Sequence, residues 1–293
     1  MIPTVQKRGE LLGHNAAIYT IAEGYKKNML LSAGSECFVA EWNLDEPELA
    51  KVIAKSAGVV YSLLVIHKNN NLLLGNDKGG IHVISLEKNA EIKYLLGHEK
   101  GVFDMVFEPD SNLIFVAGAD GKVSIWDAQD FHYIHELNLC DKKIRQIALS
   151  PDGKQLAIAC GDNYIRILNT KSHTIEHEFK AHSMSVNSIC FSPDGKHLLS
   201  GGKDAMLMIW DSTNYQLIKE TPAHNYAIYS VVYHPNGQLF ATGSRDKTIK
   251  LWDASTFEFL LRIDAEKFEG HKNSVNKLVW SKYDDLLISA GDD

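Results

Sequence analysis

The chain has 293 residues, 45% hydrophobic and 23% charged, the composition of a folded protein and not of a disordered one. Its net charge of −7 gives no global attraction to phosphate backbones or anionic membranes, so neither nucleic acid nor a bilayer is an expected partner. No run approaches the roughly 18 apolar residues of a membrane span, and MIPTVQKRGE at the N-terminus lacks the apolar core of a signal peptide, which makes a cytoplasmic address the default expectation.

In chain order, the first apolar runs follow Gly13-His14 and lead through SAGSECFVAEW (32–42) to Trp42. The same progression returns as AGADGKVSIW (117–126), SGGKDAMLMIW (200–210) and TGSRDKTIKLW (242–252). The positions of Trp42, Trp126, Trp210 and Trp252 differ by 84, 84 and 42, which fixes a 42-residue unit with two degenerate copies that carry Ile84 and Leu168 instead. A histidine precedes each tryptophan at a constant 28-residue offset: His14, His98, His182 and His224. Gly270-His271 opens one more copy, displaced by a short insertion around RIDAEKFEG (262–270). Seven copies therefore begin near His14, Ser56, His98, Cys140, His182, His224 and His271.

Within a copy, short β-branched runs are separated by turn tetrads such as SPDG (150–153 and 192–195) and HPNG (234–237). The pattern predicts strand, turn, strand, turn, strand, with a fourth strand before the next histidine. An acid follows each copy's start at a 22-residue offset: Glu36, Asp120, Asp162, Asp204, Asp246 and Asp293, with Asp77 one place early in the second copy. Four places before the acid a hydroxyl recurs as Ser32, Ser200, Thr242 and Ser289, and Val116 breaks that column.

Gly-His followed by Trp-Asp (Trp126-Asp127, Trp210-Asp211, Trp252-Asp253) at this spacing resembles the WD-repeat β-propeller family. The resemblance covers nearly all of residues 1–293 and implies an all-β fold: a single seven-bladed β-propeller with the seventh blade incomplete at the C-terminus. In that family each copy gives three strands to one blade and the outer strand to its neighbour. The resemblance also implies a buried network of tryptophan, hydroxyl, histidine and acid. Here it would comprise His14, Ser32, Glu36 and Trp42; His98, Asp120 and Trp126; His182, Ser200, Asp204 and Trp210; His224, Thr242, Asp246 and Trp252; and His271, Ser289 and Asp293. Copies two and four lack both histidine and tryptophan, so apolar packing such as NYIRILN (163–169) is expected to hold them, as the weaker blades.

Serine, histidine and aspartate together also spell a catalytic triad. A nucleophile must be exposed at one focus, whereas this trio returns in copy after copy with a tryptophan attached, so a structural role is expected. GADGKVS (118–124) lacks the spacing and the Lys-Ser/Thr pair of a P-loop. The four cysteines form no CxxC pair and read as reduced structural thiols. His132/His135 and His173/His177 lack an HExxH context, and residues four apart on a strand lie about 13 Å from each other. Neither a metal nor a cofactor is expected, and no enzyme activity.

In the family this chain resembles, the third and fifth positions after the histidine, and the position before the turn acid, emerge at the top rim of the central channel. The fifth position reads Tyr19, Tyr61, Phe103, Arg145, Asn187, Tyr229 and Asn276, and the others add Lys143, Lys203, Arg245 and Asp292. An aromatic sector would then face a basic one. The expected function is a protein–protein interaction scaffold whose top face binds a partner's peptide or loop with acidic and apolar side chains. Two alternatives stay open: the aromatics plug the inner strands, or a small ligand or enzymatic site occupies the channel mouth through Arg145, Lys203, Arg245 and Asp292.

By the 28-residue rule the seventh tryptophan falls at position 299, while Thr4 to Leu12 fit the outer strand of that blade. The expectation is a monomer whose sequence is cut short of one strand. The other readings are that a second chain adds the strand at the open edge, or that Thr4 to Leu12 move inward to pair directly.

Overall fold

The first six copies each fold into strand, turn, strand, turn, strand and a fourth strand, and each keeps its outer strand in its own sheet instead of giving it to a neighbour, in a computed structural model that describes residues 4–293. The first three residues of MIPTVQKRGE lie outside the described residues. The fifth copy shows the unit: Val186–Phe191, His197–Gly202, Met206–Asp211 and Leu217–Pro222 form one antiparallel sheet in chain order. Its first turn closes as SPDG chemistry requires, with Gly195 at φ +71° donating to the Ser192 carbonyl at 2.9 Å, and with the Ser192 hydroxyl accepting from the His197 N–H at 2.9 Å.

Residues fall into two compact units: Glu10–Arg145, and Gln146–Asp293 with the N-terminal segment ending at Gly9. The first contains blades over 18–55, 60–96 and 102–138. Blade two shows how its core is divided. Along Asn71–Asn76, buried at every residue, Leu72 and Leu74 pack with Leu31, Ala33 and Val39 of blade one, while Leu73 packs with Ile114, Val116 and Trp126 of blade three. Successive strand side chains point to opposite faces, so a run of leucines feeds both inter-sheet layers. Each fully buried leucine contributes roughly 1.5–3 kcal/mol.

The second unit holds blades over 144–180, 186–222 and 228–263 and a two-stranded hairpin, Val275–Trp280 with Leu287–Gly291. Three layers fill it: Ala157, Ile165 and Ile167 with Ile189 and Trp210; Leu199 and Ile209 with Phe240 and Trp252; and Ala241 and Leu251 with Val275 and Leu278. Outer strands are charged and exposed, as in IEHEFK (Ile175–Lys180), which blunts their open edges.

The number of blades departs from expectation: among the described residues six four-stranded sheets form, not seven, and the copy beginning at His271 yields only the hairpin. Thr4 to Leu12, expected at the outer edge of a seventh blade or paired directly to its inner strand, lie in no strand. Thr4 and Val5 are the only β-branched residues of that segment, and Gly9 interrupts it, so its strand propensity is low. It is held by side chains instead. Val5 packs against Val275 and Leu278, Lys7 Nζ donates to the Glu269 carbonyl at 2.9 Å, and Arg8 pairs with Asp284 at 2.8 Å. The insertion at 262–270 forms the four-residue helix Ala265–Phe268, started by Asp264 accepting from the Lys267 N–H at 3.0 Å.

Candidate functional site

The repeated polar residues meet inside the sheets. In blade one His14 Nδ1 lies 2.6 Å from Glu36, its Nε2 lies 2.7 Å from the Ser32 hydroxyl, and Trp42 Nε1 donates to that hydroxyl at 2.7 Å. Blade five repeats the arrangement with His182, Asp204 (3.0 Å), Ser200 (2.9 Å) and Trp210 (3.0 Å). Blade six does so with His224, Asp246 (3.0 Å), Thr242 (2.7 Å) and Trp252 (3.0 Å). In the hairpin His271 reaches Asp293 at 2.5 Å and Ser289 at 2.8 Å. The glycine before the acid is required by closeness: a Cβ on Gly202 would stand 2.2 Å from the Asp204 carboxylate and 2.4 Å from His182 Nδ1.

Burial pushes the Asp204 carboxyl up, but the His182 hydrogen bond and charge and the Ser183 and Met206 N–H groups outweigh it and hold Asp204 at about 2. Asp246 is likewise lowered against its burial, by His224, Thr248 and Asn225. His224 is lowered by burial, which Asp246 only partly offsets.

Three blades depart from the column pattern in one place. In blade three His98 Nε2 lies 2.9 Å from Ser124, and Trp126 Nε1 donates to Ser124 at 2.9 Å. Ser124 is the cross-strand partner of Val116, the residue that breaks the hydroxyl column. In blade two the same position is His82, opposite Leu74, and in blade four it is Arg166, opposite Ile158. His82 Nδ1 lies 2.8 Å from Glu91, and Arg166 pairs with Asp162 at 2.9 Å and Glu178 at 2.6 Å. These two blades therefore carry buried polar networks of their own. Asn76, not Asp77, caps the turn of blade two, accepting from the N–H groups of Lys78 (3.0 Å) and Gly80 (3.1 Å). The missed residues share a position but no chemistry: Ser124, His82 and Arg166 each stand two places before the tryptophan column.

The first unit brings the sequence-derived rim residues together. Tyr19, Tyr61 and Phe103, each one repeat after the last, pack in succession as tilted rings with centroids 5.3 and 5.0 Å apart. The Arg145 guanidinium lies 5.3 Å from the Phe103 ring centre and Lys143 Nζ 5.9 Å from it. All three rings are half-buried. The Tyr61 phenol is pushed up by burial and by Tyr19 and Asp77, against Arg145. In the second unit Lys203 and Arg245 are exposed and Tyr229 is half-buried. Asn187 is buried and donates to the Ile228 carbonyl at 3.2 Å, and Asn276 donates to Asp292 at 2.7 Å. Among the described residues no helix is long and apolar enough to cross a membrane.

Comparison with known proteins agrees with this repeat geometry. The family described as WD domain, G-beta repeat matches residues 89–127, 173–211, 215–253 and 264–293, and the anaphase-promoting complex subunit 4 WD40 domain matches 138–189. The chain is similar to human WD repeat-containing protein 36, 28% identical over 120 residues that make up 41% of this chain and 13% of that protein. It is 30% identical to the WD repeat-containing protein 3 homolog of Dictyostelium discoideum over 117 residues, 39% of this chain and 12% of that one. Nuclear distribution protein nudF 1 of Talaromyces marneffei is 26% identical over 129 residues, 43% of this chain and 28% of that protein. The aligned regions thus span a small part of these relatives. With four G-beta repeats matched and the His–hydroxyl–Trp network formed in four blades, the chain belongs to the WD-repeat family.

Proposed function

We propose that the protein is a scaffold that binds, on a surface without catalytic groups, a peptide or loop of another protein across Tyr19, Tyr61, Phe103, Lys143 and Arg145. The observation that carries this reading is the ladder in which three half-buried rings pack in turn as tilted pairs and two cations flank the last. Aromatic and arginine side chains are the usual energetic anchors of protein interfaces, because they bury large area and retain a polar handle. The ladder suits an acidic side chain reaching Lys143 and Arg145 while an apolar neighbour lies on Tyr19 and Tyr61. In the second unit Lys203 and Arg245 are exposed cations. A net charge of −7 argues against a phosphate backbone as the partner. A cytoplasmic address and a monomeric state belong to the same reading.

The test is to pan a random peptide-display library on the chain and measure the affinity of the recovered peptides for Arg145→Glu and Arg245→Glu forms. Enrichment of acidic residues beside apolar ones is expected, with Arg145→Glu weakening them at least about tenfold, or about 1.4 kcal/mol. Peptides that bind the reversed forms equally well would place the interaction elsewhere.

A further inference from the structure

Blade two rebuilds its polar network from residues that no other blade uses. Ser56 stands where five of the other copies have their histidine, and its Oγ lies 3.4 Å from His82 Nε2. His82 Nδ1 in turn lies 2.8 Å from Glu91 Oε2. Asn76 fixes the tautomer. Its Oδ1 is held by the Lys78 and Gly80 N–H groups, so its Nδ2 faces His82 Nε2 at 3.3 Å and must donate to it. Nε2 therefore carries the lone pair, which the Asn76 N–H at 3.3 Å and the Ser56 hydroxyl at 3.4 Å share, and the Nδ1–H points at Glu91. This is the order of nucleophile, base and orienting carboxylate found in acyl-transfer sites.

The argument against catalysis in the other blades does not apply here. Ser32, Ser124, Ser200 and Thr242 each accept from an indole N–H and lie buried, and their arrangement recurs along the chain. Ser56 meets no indole. It accepts from the Gly58 N–H at 3.3 Å, which leaves its own proton for His82. It is half-buried between exposed Lys55 and Ala57, whereas the His82 side chain is only 9% exposed. Lys78 Nζ, donating to the Ala57 carbonyl at 2.8 Å, sets a positive charge one residue from the hydroxyl.

We propose that Ser56 is an activated nucleophile that takes an acyl group from an activated ester, with His82 as general base and Glu91 orienting His82. Ser56 Oγ bonds to the ester carbonyl carbon while its proton passes to His82 Nε2. The carbon–oxygen bond to the alcohol then breaks, and the proton on His82 goes to the departing alkoxide, leaving acyl-Ser56 and free alcohol. Water attacking through the same lone pair releases the carboxylic acid and restores the serine. A long hydrogen bond between nucleophile and base is usual before substrate binds, and it tightens once the substrate is in place.

The experiment is labelling of the folded chain with a fluorophosphonate probe, with the modified residue located by peptide mass spectrometry. Ser56 is expected to label at least tenfold faster in the native chain than in guanidinium chloride. Ser56→Ala should abolish that label with an unchanged melting curve, and His82→Gln should slow it about a hundredfold, the usual scale of a general base. Because His82 is buried and its variant risks misfolding, Glu91→Gln, at an exposed carboxylate, serves as the second variant, with an expected tenfold loss and a native melting curve. Native labelling no faster than in the unfolded chain, or labelling that both His82→Gln and Glu91→Gln leave unchanged, would overturn the proposal.

Discussion

Ser124 stands directly across the ladder from Val116, and the Ser124 hydroxyl takes the hydrogen bonds of His98 and Trp126 that serine or threonine at the Val116 position takes in blades one, five and six. The hydroxyl has crossed to the facing strand without disturbing the network. Ser124→Ala should then leave a buried indole N–H and a histidine nitrogen unpaired, at a cost of about 1–3 kcal/mol. Val116→Ser in the same chain should recover most of that loss. Urea unfolding of the single and double variants measures both, and a double variant no more stable than Ser124→Ala would show that the two strand positions are not equivalent.

Trp210 fills the layer between blades four and five, packing with Ile165, Ile167 and Phe179 while its N–H is held by Ser200. Trp210→Ala removes that volume and leaves Ser200 with one partner fewer, so a loss of roughly 3–5 kcal/mol is expected. Thermal unfolding followed by circular dichroism reads it. An unchanged melting temperature would mean that the repeat tryptophans do not support the core.

The repeat was legible because spaced positions agree at once: His182, Ser200, Asp204 and Trp210 sit at fixed intervals and meet in space as those intervals imply. What was not legible is substitution between strands. Ser124, His82 and Arg166 occupy one column that otherwise holds Ala40, Met208 and Lys250, and a column with no shared chemistry carries no sequence signal. The fate of the seventh copy was equally hidden, since whether Thr4 to Leu12 pair or merely pack depends on tertiary competition that no local pattern records.

Stability should fall stepwise on acidification. His224 lies below its ordinary value of 6.5 when folded, so the unfolded chain takes up that proton first and His224's contribution is lost as the pH drops below 6.5. Asp204 has an ordinary value of 3.8 and a folded value of about 2; its contribution is complete above 3.8 and disappears as the pH falls through about 2. Asp204→Asn should thus lower the melting temperature at neutral pH, with the gap to the parent chain closing between pH 3.8 and about 2. A gap independent of pH across that window would assign the loss to packing and not to the charge.

Arg166 tests whether blade four rests on apolar packing or on its ion pairs. The side chain is 10% exposed and bridges Asp162, beside the turn, to Glu178 on the outer strand. Replacing it by methionine keeps much of the apolar contact but leaves Asp162 and Glu178 facing each other without the cation. Since both carboxylates are partly open to water, at 25% and 48% exposure, the expected cost is about 1–3 kcal/mol, below that of a fully buried pair. The loss should be local first. Hydrogen exchange should quicken in Gln155–Cys160 and Tyr164–Asn169 while Leu239–Ser244 of blade six keeps its protection. Unchanged exchange throughout would return blade four to the apolar account, with Leu156, Ile165 and Leu168 holding it unaided.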